Sequence, residues 1–166
     1  MKLRAALPAT QLAIATLLAA PGFAQTPGMV GKWVLNVGKG QGTQPASEVL
    51  SYEIKDGAEH YVANATQEDG SKFNSEYVAR FDGKEYPNAN HVTGKVSYVS
   101  LKQVFPRVEI ITHIDHAKDA SGKEVSKVTG RYIRIASPDG MEFTSILLNA
   151  KGEVFSVRVF DKQPGS

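Results

Sequence analysis

Four histidines, His60, His91, His113 and His116, are the side chains of this chain best suited to metal or proton chemistry near neutral pH. His113 and His116 have the composition of a metal pair. On a strand, however, residues three apart point to opposite faces, so the two would converge only across a bulge or at a strand end. His113 shares a strand face with Glu109 and Asp115, and a file of three such residues reads as a wet outer face. His91 falls in a long connection and His60 near a turn; both read as solvated. The chain has no cysteine, which removes thiol catalysis, cysteine-based zinc sites and iron–sulfur clusters. No Gly-x-Ser-x-Gly elbow is present, and the Gly-rich run GKGQG at 38–42 precedes no helix that would make it a phosphate cradle. Glu68-Asp69 sits on a turn, where Asp favours the backbone geometry in any case. Asn64-Ala-Thr66 matches a glycosylation triplet and reads as strand sequence. No catalytic residue, metal ligand or cofactor is therefore assigned.

The aromatic residues carry more. Trp33, Tyr52, Tyr77, Phe81, Tyr98, Tyr132 and Phe143 are expected to point inward, with Ser75, Ala79, Ser100, Gly130 and Ser145 between them. Large side chains alternating with small ones either interlock into a solid core or leave a cavity. In a cavity, tyrosine hydroxyls supply the few polar handles a pocket needs. Arg134 shares a face with Tyr132 and Val128 if the strand is regular, and Arg131 shares one with Ile133 and Ile135. Either arginine would give an inward charge for an acidic ligand.

The elements that must position these residues announce themselves through turns. Asp56-Gly57, Asp69-Gly70 and Asp82-Gly83 recur at an interval of 13 residues, and Asp-Gly is a strong hairpin signal because it tolerates positive φ. Further turns are expected at Ser121-Gly122, Asp139-Gly140 and Lys151-Gly152. Period-two alternation predicts strands over 32–37, 47–55, 59–67, 72–81, 84–86, 96–104, 108–116, 125–136, 141–148 and 154–161. Trp33, Leu35 and Val37, then Leu50, Tyr52 and Ile54, then Phe73, Tyr77, Ala79 and Phe81, are read as core-facing. So are Val108, Ile110 and Ile114, which oppose Glu109, His113 and Asp115. One apolar and one wet face is the mark of an antiparallel sheet around one core. Gly38–Ala46 and Pro87–Lys95 are the longer connections, and a single helical turn is allowed at 27–30. Sequential hairpins of nearly equal length predict an all-β fold: an antiparallel up-and-down β-barrel of about 8–10 strands, closed by pairing its first strand with its last.

The first 24 residues have the pattern of a secretory signal peptide. Lys2 and Arg4 form a basic start, Leu12–Ala20 an apolar core, and Gly22 and Ala24 put small residues where a signal peptidase reads. The apolar core is too short for a spanning helix of about 20 residues, so no transmembrane segment is expected after cleavage. Residues 25–166 then form one barrel domain, exported to the periplasm or beyond. The 19 Lys plus Arg of the whole chain, less Lys2 and Arg4, equal its 17 Asp plus Glu. A neutral mature chain with alternating charges argues against nucleic acid or an anionic membrane as a generic partner.

Gly31-Lys32-Trp33 resembles the Gly-x-Trp signature that opens the first strand of lipocalins. That resemblance implies that Trp33 closes one barrel end and that an arginine of the last strand, here Arg158, packs over its ring as a barrel-closing pair. Across most of residues 25–166 the chain is similar to a group of secreted bacterial proteins with lipocalin-like (calycin-like) barrels and no characterised function. The matching pieces are GKWVLN (31–36), ARFDGKEYP (79–87), SPDG (137–140) and FDKQ (160–163). The leading expectation is a small, mostly apolar ligand held in the lumen. Two alternatives stand beside it: a filled barrel acting as an interaction module, its protein partner unknown, and a barrel isomerase, cyclase or hydrolase. The last would require titratable side chains converging inside.

Overall fold

The computed structural model describes residues 28–165. The expected leader, residues 1–24, lies outside them. Eleven antiparallel strands follow one another: β1 (Gly31–Leu35), β2 (Gln41–Gly42), β3 (Ser47–Lys55), β4 (Ala58–Thr66), β5 (Lys72–Ala79), β6 (Glu85–Asn90), β7 (Lys95–Phe105), β8 (Val108–Lys118), β9 (Glu124–Ala136), β10 (Glu142–Asn149) and β11 (Val154–Lys162). From β3 onward each strand pairs with the next. β1 pairs with both β3 and β11, which closes a ten-stranded up-and-down barrel and leaves β2 as an extra strand on β11. Among the described residues there is no helix; the turn at Gly28–Met29 is not the helical turn allowed by the sequence.

The turns behave as their chemistry dictates. Asp56 (φ 52°) and Gly57 (φ 70°) both occupy the left-handed region, the type I′ requirement of a two-residue hairpin. At Asp69 and Asp82 only the glycine has positive φ, and the aspartate carboxylate instead accepts the N–H of Ser71 or Lys84. Such Asx turns join the strands by longer loops.

Two connections hold more order than the sequence suggested. Gly38–Ala46 contributes β2, whose Gln41 and Gly42 pair with Val157 and Ser156. Pro87–Lys95 is half strand, because β6 runs on to Asn90 opposite Lys95. Gly42 has φ 77°, and a Cβ there would stand 2.3 Å from the Phe155 carbonyl oxygen. A Gly42→Ala variant therefore meets both a forbidden φ and a backbone clash. It is expected to lower the urea midpoint by an amount worth about 1–3 kcal/mol, and an unchanged midpoint would show that β2 is dispensable.

The barrel is sealed at one end. Trp33, Phe143, Phe160, Leu101 and Ile111 are each at most 2 % exposed. Trp33 meets Phe143 edge-on at 4.9 Å, and Phe143 stacks on Phe160 at 4.7 Å. The Trp33 indole N–H donates to the Met29 carbonyl at 2.8 Å, so its one polar atom is satisfied. The cation over this ring is Lys162, 5.3 Å from its centroid, and not Arg158. Arg158 lies farther up β11, opposite Ser145, and reaches Glu48 instead.

Candidate functional site

Two neighbouring strands carry the opposite phase from the one their sequence suggested. In β7 the inward residues are Val99 and Leu101, both 0 % exposed. Tyr98 and Ser100 therefore face outward. Tyr98 opposes Ile114 and stacks on His116 at 4.1 Å. In β8 the inward file is Glu109, Ile111 and His113, which pair with Arg134, Tyr132 and Gly130, and not Val108, Ile110 and Ile114. Between His113 and Ile114 the register slips by one residue. This bulge carries Val128 across to the outer row with Ile114 and Tyr98, off the face of Tyr132 and Arg134. His113 and His116 accordingly diverge: His116 bonds Glu85 at 2.6 Å.

Inside, Arg134 braces the lumen from β9 to β4 and β5. One guanidinium nitrogen donates to Glu109 Oε1 at 2.9 Å, to the Tyr77 hydroxyl at 3.1 Å and to Glu59 Oε1 at 3.4 Å. The Tyr77 hydroxyl in turn donates to Glu59 at 2.7 Å. The rings of Tyr61 and Tyr52 cover the cation at 4.6 and 5.0 Å. Glu59, Glu109 and Arg134 are 1, 0 and 2 % exposed. Burial pushes the Glu59 carboxyl well above the usual carboxylate range; the adjacent Glu109 pushes it further, and Arg134 only partly opposes them. Glu109 Oε2 is buried without a hydrogen-bond partner, an acceptor that a proton on Glu59 would satisfy.

Beyond the brace the lumen opens. A cavity of about 910 Å³ is bounded by Tyr61, Ser75, Asn88, His113, Tyr132, Arg134, Glu48 and Arg158 below and by Phe73, Val96, Leu148 and Phe155 toward the mouth. The mouth is built from the starts of β3, β5, β7, β9 and β11 and the ends of β6, β8 and β10, which antiparallel pairing brings to one end of the barrel, while Tyr61 of β4 and Tyr132 and Arg134 of β9 line its floor from farther along their strands. Arg158 donates to Glu48 at 2.8 Å, and burial raises the Glu48 carboxyl despite that partner. His113 packs on Tyr132 at 4.3 Å. Burial and then the charge of Arg134 lower the His113 imidazole from 6.5 to about 4, which keeps it neutral at pH 7. His113 Nε2 and Arg158 Nε are buried without hydrogen-bond partners.

No family model matches the chain, and no curated protein or solved structure does either. The site must therefore be read from its own chemistry.

Of the seven aromatics expected in the lumen, Tyr132 alone borders this cavity. Trp33, Tyr52, Tyr77 and Phe143 are buried in the sealed half, Phe81 packs half-buried against that core, and Tyr98 is outside. The tyrosine hydroxyls mostly face inward needs: that of Tyr77 serves the brace, and that of Tyr52 is buried and unpartnered. Tyr61, Glu48 and Glu59 complete the inner polar set and were not singled out by sequence, and Glu109 and His113, which the sequence put on a wet outer face, join them inside. Arg134 was considered as an inward charge for a ligand; its guanidinium is instead engaged by the protein's own carboxyls.

Proposed function

We propose that this chain is an exported, lipocalin-like barrel that holds one small molecule in its open half. The observation that supports this most is the cavity of about 910 Å³ above a solid aromatic plug, a size in the range of small-molecule sites. Its walls divide by chemistry. Phe73 and Phe155 offer apolar contact near the mouth, and Glu48, His113, Tyr132 and Arg158 offer polar contact below. A mostly apolar body with a polar head suits that division, with affinity coming from apolar burial and orientation from the head. The open half weighs against a filled interaction module.

Residues 25–166, recovered by export from a host cell and weighed intact under native and denaturing conditions, test the reading. The expected result is an extra mass that leaves on denaturation, or uptake of at least one compound from a panel of lipids, pigments and haem. A protein that arrives empty and takes up none of the panel contradicts it.

A second reading is an isomerase or cyclase that moves a proton within its bound molecule. It is favoured by the convergence of Glu48, His113, Tyr132 and Arg158 in the lumen, the condition the enzyme alternative required. A bound compound that comes off chemically changed would select it over simple binding.

A further inference from the structure

The hydrogen-bonding capacity of the cup is unbalanced, and the imbalance has a sign. Arg134 is engaged by Glu59, Glu109 and Tyr77. Arg158 is bound end-on through one terminal nitrogen to Glu48, while its Nε–H is buried with no acceptor. A guanidinium carries five N–H donors in a fixed fork, so an edge of Arg158 remains for an incoming acceptor. His113 Nε2, which donates in the Nε2–H tautomer, is the second buried nitrogen without a partner in the same wall. Between them stands Tyr132: its ring meets His113 at 4.3 Å, and its phenol feels the charge of Arg158. Around the cavity Lys95, Lys127 and Arg158 outnumber Glu48 and Asp115 once Arg134 is matched within its brace.

Building on the reading of the cup as a ligand site, we propose that it selects an anion: a small molecule with a carboxylate or sulfonate head that docks on Arg158 and His113 beside Tyr132, its apolar body directed toward Phe73 and Phe155. Glu48 is the protein's own stand-in for that head. It holds the Arg158 guanidinium in place while the cup is empty and competes with the ligand for it. A charged hydrogen bond in a buried wall discriminates strongly against an isosteric neutral compound, because the neutral compound leaves the guanidinium edge unmatched.

Two fluorescent dyes test this, anilinonaphthalene sulfonate and N-phenylnaphthylamine, which share an aromatic body and differ by the sulfonate. The wild-type barrel is expected to bind the sulfonate dye about tenfold more tightly than the neutral one. Arg158→Gln should remove most of that ratio. Glu48→Gln, which keeps the shape and deletes the competing charge, should raise it. Near-ultraviolet circular dichroism confirms that each variant is folded, and the Glu48→Gln result stands even if Arg158→Gln fails that check. Equal affinity for both dyes, a ratio untouched by Arg158→Gln, or a ratio lowered by Glu48→Gln would overturn the anion proposal alone. Binding of neither dye by the wild type would overturn the reading of the cup together with it.

Discussion

An Arg134→Met barrel is expected to lose about 3–5 kcal/mol of stability, a large share of the roughly 5–15 kcal/mol that a domain possesses. The side chain is 2 % exposed and, among the described residues, is the one cation in contact with Glu59 and Glu109, themselves 1 and 0 % exposed. Removing it strands two carboxyls away from water and leaves the Tyr77 hydroxyl only its bond to Glu59, and the cost of leaving a buried charge unpaired exceeds the worth of any single bond removed. Glu59→Gln should behave oppositely, at under about 1 kcal/mol. Burial and the adjacent Glu109 already push the Glu59 carboxyl well above the usual carboxylate range, toward its neutral form. The amide keeps an acceptor for Arg134 and offers an N–H to Glu109 Oε2, which otherwise has no partner. Urea unfolding at pH 7 with matched slopes measures both. Equal damage from the two substitutions would mean that the brace carries its charge in some other way.

The second large effect is on acid stability. The His113 imidazole falls from 6.5 in the open chain to about 4 in the barrel. A group whose folded value is depressed binds more protons when unfolded. The stability it contributes is therefore complete above pH 6.5 and drains away as pH falls through the window down to about 4. That gap corresponds to roughly 3 kcal/mol. Glu59 works in the other direction. Its folded value is raised above 4.5, so its contribution is complete below 4.5 and is lost as pH rises toward the folded value. A His113→Phe variant, which keeps a ring beside Tyr132, isolates the histidine. The difference in unfolding free energy between wild type and variant should shift against the wild type by roughly 3 kcal/mol between pH 7 and pH 4, with the Glu59 contribution cancelling. A flat difference would mean that water reaches the ring.

How much of this was legible beforehand depended on whether the information was local. The Asp-Gly turns and the alternating strands read correctly because a hairpin is specified by residues that touch along the chain. Trp33, Tyr52, Tyr77 and Phe143 were placed inside for the same reason. β8 was misread because VEIITHI has apolar residues on both faces, Ile110 on one and Ile111 on the other, so the charged residues seemed to break the tie. They broke it wrongly: Glu109 is tolerated inside because Arg134 stands opposite it, and His113 because it is neutral there. Counting back from the turn at Asp119–Gly122 would not have revealed that pair. The hairpin register below the bulge aligns Lys118 with Glu124, and one extra residue is inserted before Glu109 meets Arg134. The open half of the lumen was invisible for a similar reason, since its lining is gathered from nine strands.

The division of the lumen into a sealed half and an open half carries the whole account, and a titration of nitrogen-labelled residues 25–166 with N-phenylnaphthylamine, followed by NMR, tests it most directly. The amide signals of Phe73, Val96, Leu148 and Phe155 should move with the dye while the indole N–H of Trp33, bonded to Met29 behind the aromatic plug, stays where it is. A moving indole with a still mouth, or no movement anywhere, would contradict it.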